Sequence, residues 1–188
     1  MATHVQANAR LTSSVGLVLL LPLALVLGTG LAVQRFLVIH ALLGFFLIPL
    51  VLLKLGSTGY RFVRYYAGDP GYRSAGPPRP AMRILGPVTV ILTVALFATG
   101  IELWLFGFRF AWAPLHHASA YLWFVAMLVH VINYFRQSSR LAIADWRQAF
   151  HGRFSRQAFV LASLVVGIIV AVAMLPFTTP FALPSGGG

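Results

Sequence analysis

Five stretches of this chain are each long and apolar enough to cross a hydrocarbon core, and nothing else in the sequence constrains the fold as tightly. They fall at about 14–33, 36–59, 84–107, 115–135 and 157–177. Hydrocarbon offers no partner to a backbone N–H or C=O, so a lone apolar span of this length must satisfy its own, as a helix. The expected fold is therefore all-α, an integral membrane bundle of about five transmembrane helices. Composition leads to the same place. Hydrophobic residues fill 59% of the 188 positions and charged residues only 9%, where a soluble domain carries about 25% charged residues. Mean hydropathy is +0.85. Cysteine is absent, which excludes disulfides, thiolate metal sites, iron–sulfur clusters and thioether-linked cofactors.

The spans group unevenly. A very short turn at Gln34 and Arg35 joins the first two into a tight antiparallel hairpin. Residues 67–82 are rich in Gly and Pro and read as a loop. Residues 136–156 are polar and Arg-rich, with Leu141, Ile143, Trp146 and Phe150 interspersed, as in a short interfacial helix. This gives a four-helix membrane domain over 1–135, a cytoplasmic or interfacial connector over 136–156, and a fifth span with a short tail over 157–188. The first span is longer than the apolar part of a signal peptide and reads as a membrane helix. Pro22, Pro49 and Pro87 mark kinks. No internal repeat stands out beyond a weak likeness between the second and fourth spans.

The formal net charge is +11. The basic residues lie between apolar spans, so they report topology rather than nucleic-acid binding. Arg10, Arg61, Arg64, Arg73, Arg79, Arg83, Arg136, Arg140, Arg147, Arg153 and Arg156 fall on one side, and only Arg35 and Arg109 on the other. The positive-inside rule then predicts a multi-pass protein of a bacterial cytoplasmic membrane, with its N-terminus in the cytoplasm and its C-terminus outside.

Ionisable residues within membrane spans are costly and usually functional. Here they are His40, Lys54, Glu102, His116, His117 and His130. His116 and His130 are fourteen residues apart, which returns a helix to within about 40° of its starting direction and advances it by about 21 Å. His40 and Lys54 repeat that spacing on the second span. The second and fourth spans run in the same direction. They therefore present two tiers, an outer one with His40 opposite His116 and an inner one with Lys54 opposite His130.

A haem explains this geometry economically, because hexacoordinate iron in a flat macrocycle needs one neutral nitrogen ligand on each face. Gly44, one turn beyond His40, and Ser119 and Ala120, one turn beyond His116, are small enough for a ring to approach the backbone. Trp123, Phe124 and Met127 would fill the gap between tiers. The expected cofactor is haem b, one at the outer tier, with a second at the inner tier and a quinone as further candidates. The expected metal ligands are His40, His116 and His130.

The stretches HALLGFFLIPLVLLKL and LHHASAYLWFVAMLVHV resemble the haem-bearing four-helix domain of respiratory and photosynthetic cytochrome b, and also small bacterial cytochrome b subunits. The resemblance covers roughly residues 10–135. It implies a four-helix haem-binding core plus one extra helix, with outer ligands at His40 and His116 and an inner ligand at His130. The family's other inner ligand falls on Lys54. It further implies electron transfer with a quinone pool, a periplasmic or membrane redox partner, or a molybdenum oxidoreductase that the chain anchors, rather than a self-contained enzyme.

Each position also has a plainer reading. His40, His116 and His130 could be hydrogen-bonded interfacial or interhelical residues. His117 lies about 140° off the face of His130; it is an interfacial residue, a hydrogen-bond donor to a haem propionate, or the outer ligand in place of His116. Lys54 is an iron ligand, a cation paired with a propionate or quinone headgroup, or a snorkelling side chain. Glu102 reads as an interfacial carboxylate paired with Arg109, or as a proton carrier at an outer quinone site. Trp104, Trp112 and Trp123 read as interfacial anchors in part. Two other functions use the same residues. One is a proton or metal transporter or channel, for which Thr89, Thr93 and Thr99 would line the path. The other is a structural membrane subunit.

Overall fold

The computed structural model describes residues 3–77, 80–108 and 111–178; Arg79, Arg109 and the C-terminal tail lie outside the described residues. The fold is 91% helical, with no strand among the described residues. The helices are α1 (Thr3–Leu31), α2 (Val33–Tyr66), α3 (Pro70–Ser74), α4 (Pro80–Phe106), α5 (Trp112–Arg147) and α6 (Arg153–Met174), followed by a 3₁₀ turn over Leu175–Thr178. All except α3 are long and apolar enough to cross a membrane. Large apolar side chains such as Leu21, Ile91, Leu122 and Ile168 face outward, as they must when lipid is the solvent.

α1 packs between α2 and α5, while α4 packs on α5 and more lightly on α2. The parallel pair α2 and α5 therefore face one another across a four-helix bundle. The fifth span, α6, lies outside this bundle against α2. The contact is close because Gly167 has no side chain: a Cβ there would come within 2.5 Å of the Phe46 carbonyl oxygen. Val160 of α6 joins Val15 and Leu19 of α1 and Leu47 and Leu50 of α2 in one buried cluster. Small residues at a helix crossing let apolar neighbours interlock where lipid provides no hydrophobic drive.

The short hairpin turn forms as expected. Ala32 and Phe36 have non-helical backbone angles, and one helical turn containing Gln34 and Arg35 lies between them. Helical structure continues through Pro22, Pro49 and Pro87.

Two expectations need correction. Residues 136–147 are not a separate interfacial helix; they continue α5 without a break. No Gly or Pro occurs between Leu115 and His151, so no helix breaker stands at the polar boundary. At 36 residues the helix is about 54 Å long, well beyond a hydrocarbon core of about 30 Å. It ends at Arg147, where Gln148 turns extended, and Gly152, whose φ of +70° suits a residue without a Cβ, leads into α6. The loop over 67–82 also contains structure. Asp69 caps α3, its carboxylate accepting the Tyr72 N–H at 3.1 Å and pairing with Arg64 at 2.5 Å. Tyr72 is buried against the rings of Tyr60 and His4.

The turn into α6 is held by a buried ion pair. Asp145 is 1% exposed and Arg156 is 6% exposed. Arg156 Nε donates to both Asp145 carboxylate oxygens, at 3.1 and 2.9 Å, and Nη2 reaches Oδ1 as well. Nη1 donates to the His151 carbonyl at 3.0 Å. Arg10 of α1 stacks on the Phe150 ring, 3.3 Å from its centre. Removing one partner of a buried pair strands the other charge. Asp145→Ala is thus expected to destabilise the protein by about 3–5 kcal/mol in chemical unfolding from mild detergent, with the Asp145→Leu/Arg156→Met double variant losing less.

The loop latch responds to acid. The Tyr72 amide, and after it the Arg64 guanidinium, hold the Asp69 carboxyl below the usual carboxylate range against an opposing effect of burial. A lowered folded-state value stabilises the capped loop above the ordinary Asp pKa of about 3.9, and that stability is lost as pH falls through the folded value. The protection of the Tyr72 amide, its exchange relative to that of an unstructured amide at the same pH, is expected to hold from neutral pH down to about 4 and to fall only below it.

Candidate functional site

Two histidines meet in the bundle interior. His40 on α2 and His116 on α5 have ring centroids 6.3 Å apart and ring planes at 86°. Each is half-buried. Two imidazoles on opposite sides of one metal have centroids about 6.4 Å apart, from metal–nitrogen bonds of about 2.0–2.1 Å and about 1.2 Å between ring nitrogen and ring centre. The separation in the protein is close to the distance two rings sharing one metal would have. A direct edge-to-face ring contact also falls in this range. What sets the present pair apart is how each ring is anchored.

Both rings turn their Nδ1 edge away from one another, onto the helix beside them. His40 Nδ1 lies 3.0 Å from the Val26 carbonyl oxygen and 3.3 Å from Thr29 Oγ1, both on α1. His116 Nδ1 lies 3.1 Å from Thr99 Oγ1 on α4, and the Leu96 carbonyl also hydrogen-bonds this ring. The threonine protons are already engaged. Thr29 Oγ1 donates to the Leu25 and Val26 carbonyls, and Thr99 Oγ1 to those of Ala95 and Leu96. Each hydroxyl therefore accepts from the imidazole. These partners fit a proton at Nδ1 of each ring, which would leave Nε2 its lone pair. That is the tautomer a metal-ligating histidine needs, with the anchoring group fixing ring orientation and raising basicity.

A glycine seats each ring. A Cβ added at Gly30 would lie 3.0 Å from His40 Cε1, and one at Gly100 would lie 3.2 Å from His116 Cε1. The pattern Thr29–Gly30 on α1 is thus repeated as Thr99–Gly100 on α4, and the carbonyl four residues before the glycine is used both times. Each hairpin, α1–α2 and α4–α5, is one copy of a unit in which the first helix seats an imidazole carried by the second. This corrects the expectation of no internal repeat. The repeat extends to the other tier: Gly16 and Gly30 are fourteen residues apart, as are Gly86 and Gly100. That spacing matches His40 to Lys54 and His116 to His130, and it is the signal that locates these residues.

The remaining candidates distribute as follows. His117 is exposed, so His116 is the histidine that faces His40. Space for a Cβ is open at Gly44. Ser119 is buried, its hydroxyl donating to the His116 carbonyl at 2.9 Å. His130 stacks on Tyr134 of its own helix with centroids 4.9 Å apart, and lies within electrostatic range of Lys54. Lys54 does not snorkel: its ammonium turns inward and donates to the Thr12 carbonyl of α1 at 2.7 Å. Glu102 is half-buried, and its expected partner Arg109 lies outside the described residues. Among the described residues, no three His, Cys, Asp or Glu side chains converge on one point.

The bulky residues between tiers depart from expectation in part. Trp123 donates its indole N–H to Thr93 Oγ1 at 2.8 Å, which pins α5 to α4. Phe124 faces outward. Trp104 is not an interfacial anchor but is buried, 5.2 Å from the Phe45 ring centre at 74°. Thr89, Thr93 and Thr99 donate to carbonyls of their own helix. The last two also accept from Trp123 and His116. The Thr93 and Thr99 hydroxyls thus link α4 to α5.

Comparison of the chain with protein families, curated proteins and solved structures returns no match. The function must therefore be argued from this geometry.

The seating glycine gives the site a direct structural test. Gly100→Leu is expected to drive the His116 ring from α4, at a cost of about 1–3 kcal/mol from overpacking. Gly28→Leu, where a Cβ meets nothing within 4 Å, is expected to leave stability within about 1 kcal/mol of wild type. Thermal unfolding in detergent separates the two.

Proposed function

We propose that this chain is a membrane b-type cytochrome in which His40 and His116 ligate one haem b from opposite faces. The observation that carries this reading is the anchored imidazole pair, 6.3 Å between centroids, with both Nδ1 edges committed to neighbouring helices. The donor chemistry fits. A low-spin haem iron would be held by two neutral nitrogen donors besides those of its porphyrin, and His40 and His116 would supply them. A bare metal ion would want three or four protein ligands, and only two histidines converge here. Gly44 leaves room beside His40, and Ser119 and Ala120 keep the backbone beside His116 low.

A bound haem supplies a reversible one-electron iron couple. The chain's own residues do the rest. Thr29, Val26, Thr99 and Leu96 hold the imidazole tautomers, Gly30 and Gly100 set the ring positions, and the apolar bundle excludes water. His117, exposed beside the pair, would be the residue to hydrogen-bond a propionate. The arginine asymmetry supports a cytoplasmic N-terminus, with this tier near the outer surface of a bacterial inner membrane in our reading. Electrons would pass between the haem and a quinone or a membrane or periplasmic oxidoreductase, a molybdenum enzyme among the candidates. The chain would then be an electron-transferring subunit or anchor.

The test is a reduced-minus-oxidised optical spectrum with a pyridine haemochrome assay on protein from haem-replete cells. Wild type is expected to show a low-spin b-type spectrum. His40→Ala and His116→Ala are expected to abolish it, and His117→Ala to keep it. A colourless wild type, or an unchanged low-spin signal in His40→Ala, overturns the assignment.

A further inference from the structure

The second tier repeats the first with one change of chemistry, and the position of the Lys54 nitrogen shows its consequence. Lys54 Nζ donates to the carbonyl of Thr12 at 2.7 Å. Thr12 stands four residues before Gly16, just as Val26 stands four before Gly30. The carbonyl that anchors a histidine Nδ1–H in the first tier is therefore taken by the lysine nitrogen in the second. The glycine contact repeats as well: a Cβ at Gly16 would lie 2.8 Å from Lys54 Nζ.

The two side chains differ in what is left over. An imidazole has a second nitrogen on the far edge of its ring, aimed away from the anchoring helix. Lysine has one nitrogen, and here it is held back against α1. Its hydrogen bond to the Thr12 carbonyl holds it there, beside a polar cluster that links the same two helices. Thr12 Oγ1 donates to Ser57 Oγ at 2.9 Å, Ser57 Oγ donates to the Lys54 carbonyl at 3.0 Å, and Asn8 Nδ2 donates to the Ser57 carbonyl at 3.0 Å. The other half of this tier is incomplete in a second way. Gly86 occupies the seat equivalent to Gly100, but no side chain lies within 4 Å of a Cβ there, and the His130 ring rests on Tyr134 instead.

We propose that Lys54 sets the haem number of this protein: by placing its single nitrogen on the Thr12 carbonyl, it leaves the second tier with one histidine and no trans ligand, so that the chain carries one haem, between His40 and His116. The inference rests on the cytochrome reading above. Lys54 acts as a specificity-determining residue, since a histidine at this position could donate Nδ1–H to Thr12 and direct Nε2 toward His130.

The experiment measures haem per chain by pyridine haemochrome against quantitative amino-acid analysis, with electron paramagnetic resonance of the ferric protein, on the full chain in detergent. Wild type is expected to give a ratio of one, and His130→Ala to keep that ratio and the wild-type spectrum. Lys54→His is expected to double the ratio and add a second low-spin signal. A wild-type ratio of two, or loss of a haem in His130→Ala, overturns the inference and leaves the cytochrome reading standing. A wild-type ratio of zero overturns both. A monodisperse, helical Lys54→His protein that stays at one removes Lys54 from the role. If that variant does not fold, wild type and His130→Ala still decide the haem number.

Discussion

A polar side chain in a hydrocarbon-bathed bundle is tolerable only where its hydrogen bonds are met, and the arrangement of this protein follows from how its imidazoles meet that demand. Each is satisfied on one edge by the neighbouring helix of its own hairpin. The Val26 carbonyl and Thr29 hydroxyl serve His40; the Thr99 hydroxyl and Leu96 carbonyl serve His116. Gly30 and Gly100 are the complementary requirement, because the ring cannot reach those acceptors past a side chain. With one edge of each ring fixed outward, the opposite edges of the two hairpins are left to share whatever lies between them.

Around this centre the rest of the chain acts as framing. Trp123 bonds α5 to α4 through Thr93, and α6 closes the outside of α2 through Gly167. At the arginine-rich end, the chain's few carboxylates work as clasps. Asp145 fixes the turn from α5 to α6, and Asp69 fixes the loop from α2 to α4. Only three acidic residues occur in the chain, and two of them pair with arginines, Asp69 with Arg64 and Asp145 with Arg156.

Much of this was legible before any coordinates. Five helices, the four-plus-one grouping and the meeting of His40 with His116 follow from apolar run length and the fourteen-residue spacing, both of which are local. The seating helices were not legible, although Gly16, Gly30, Gly86 and Gly100 carry the same spacing. Glycine and threonine are common in membrane helices, and the two hairpins differ in their turns: ten residues separate Gly30 from His40, and sixteen separate Gly100 from His116. That offset hides the repeat from a reading along the chain. The burial of Trp104 and the pairing of Arg156 with Asp145 depend on which helices become neighbours, which spacing within one helix does not fix. The polar stretch after Phe135 misled for a different reason, since polarity marks the membrane boundary but does not end a helix that lacks Gly and Pro.

The account stands on two histidine nitrogens binding the same iron. Pulsed electron paramagnetic resonance on ferric protein labelled with ¹⁵N only in histidine counts those nitrogens directly. Two directly coordinated histidine nitrogens, one lost with each substitution at residues 40 and 116, are the result the account predicts. A single coupled nitrogen, or a pair that survives replacement of His40, would contradict it.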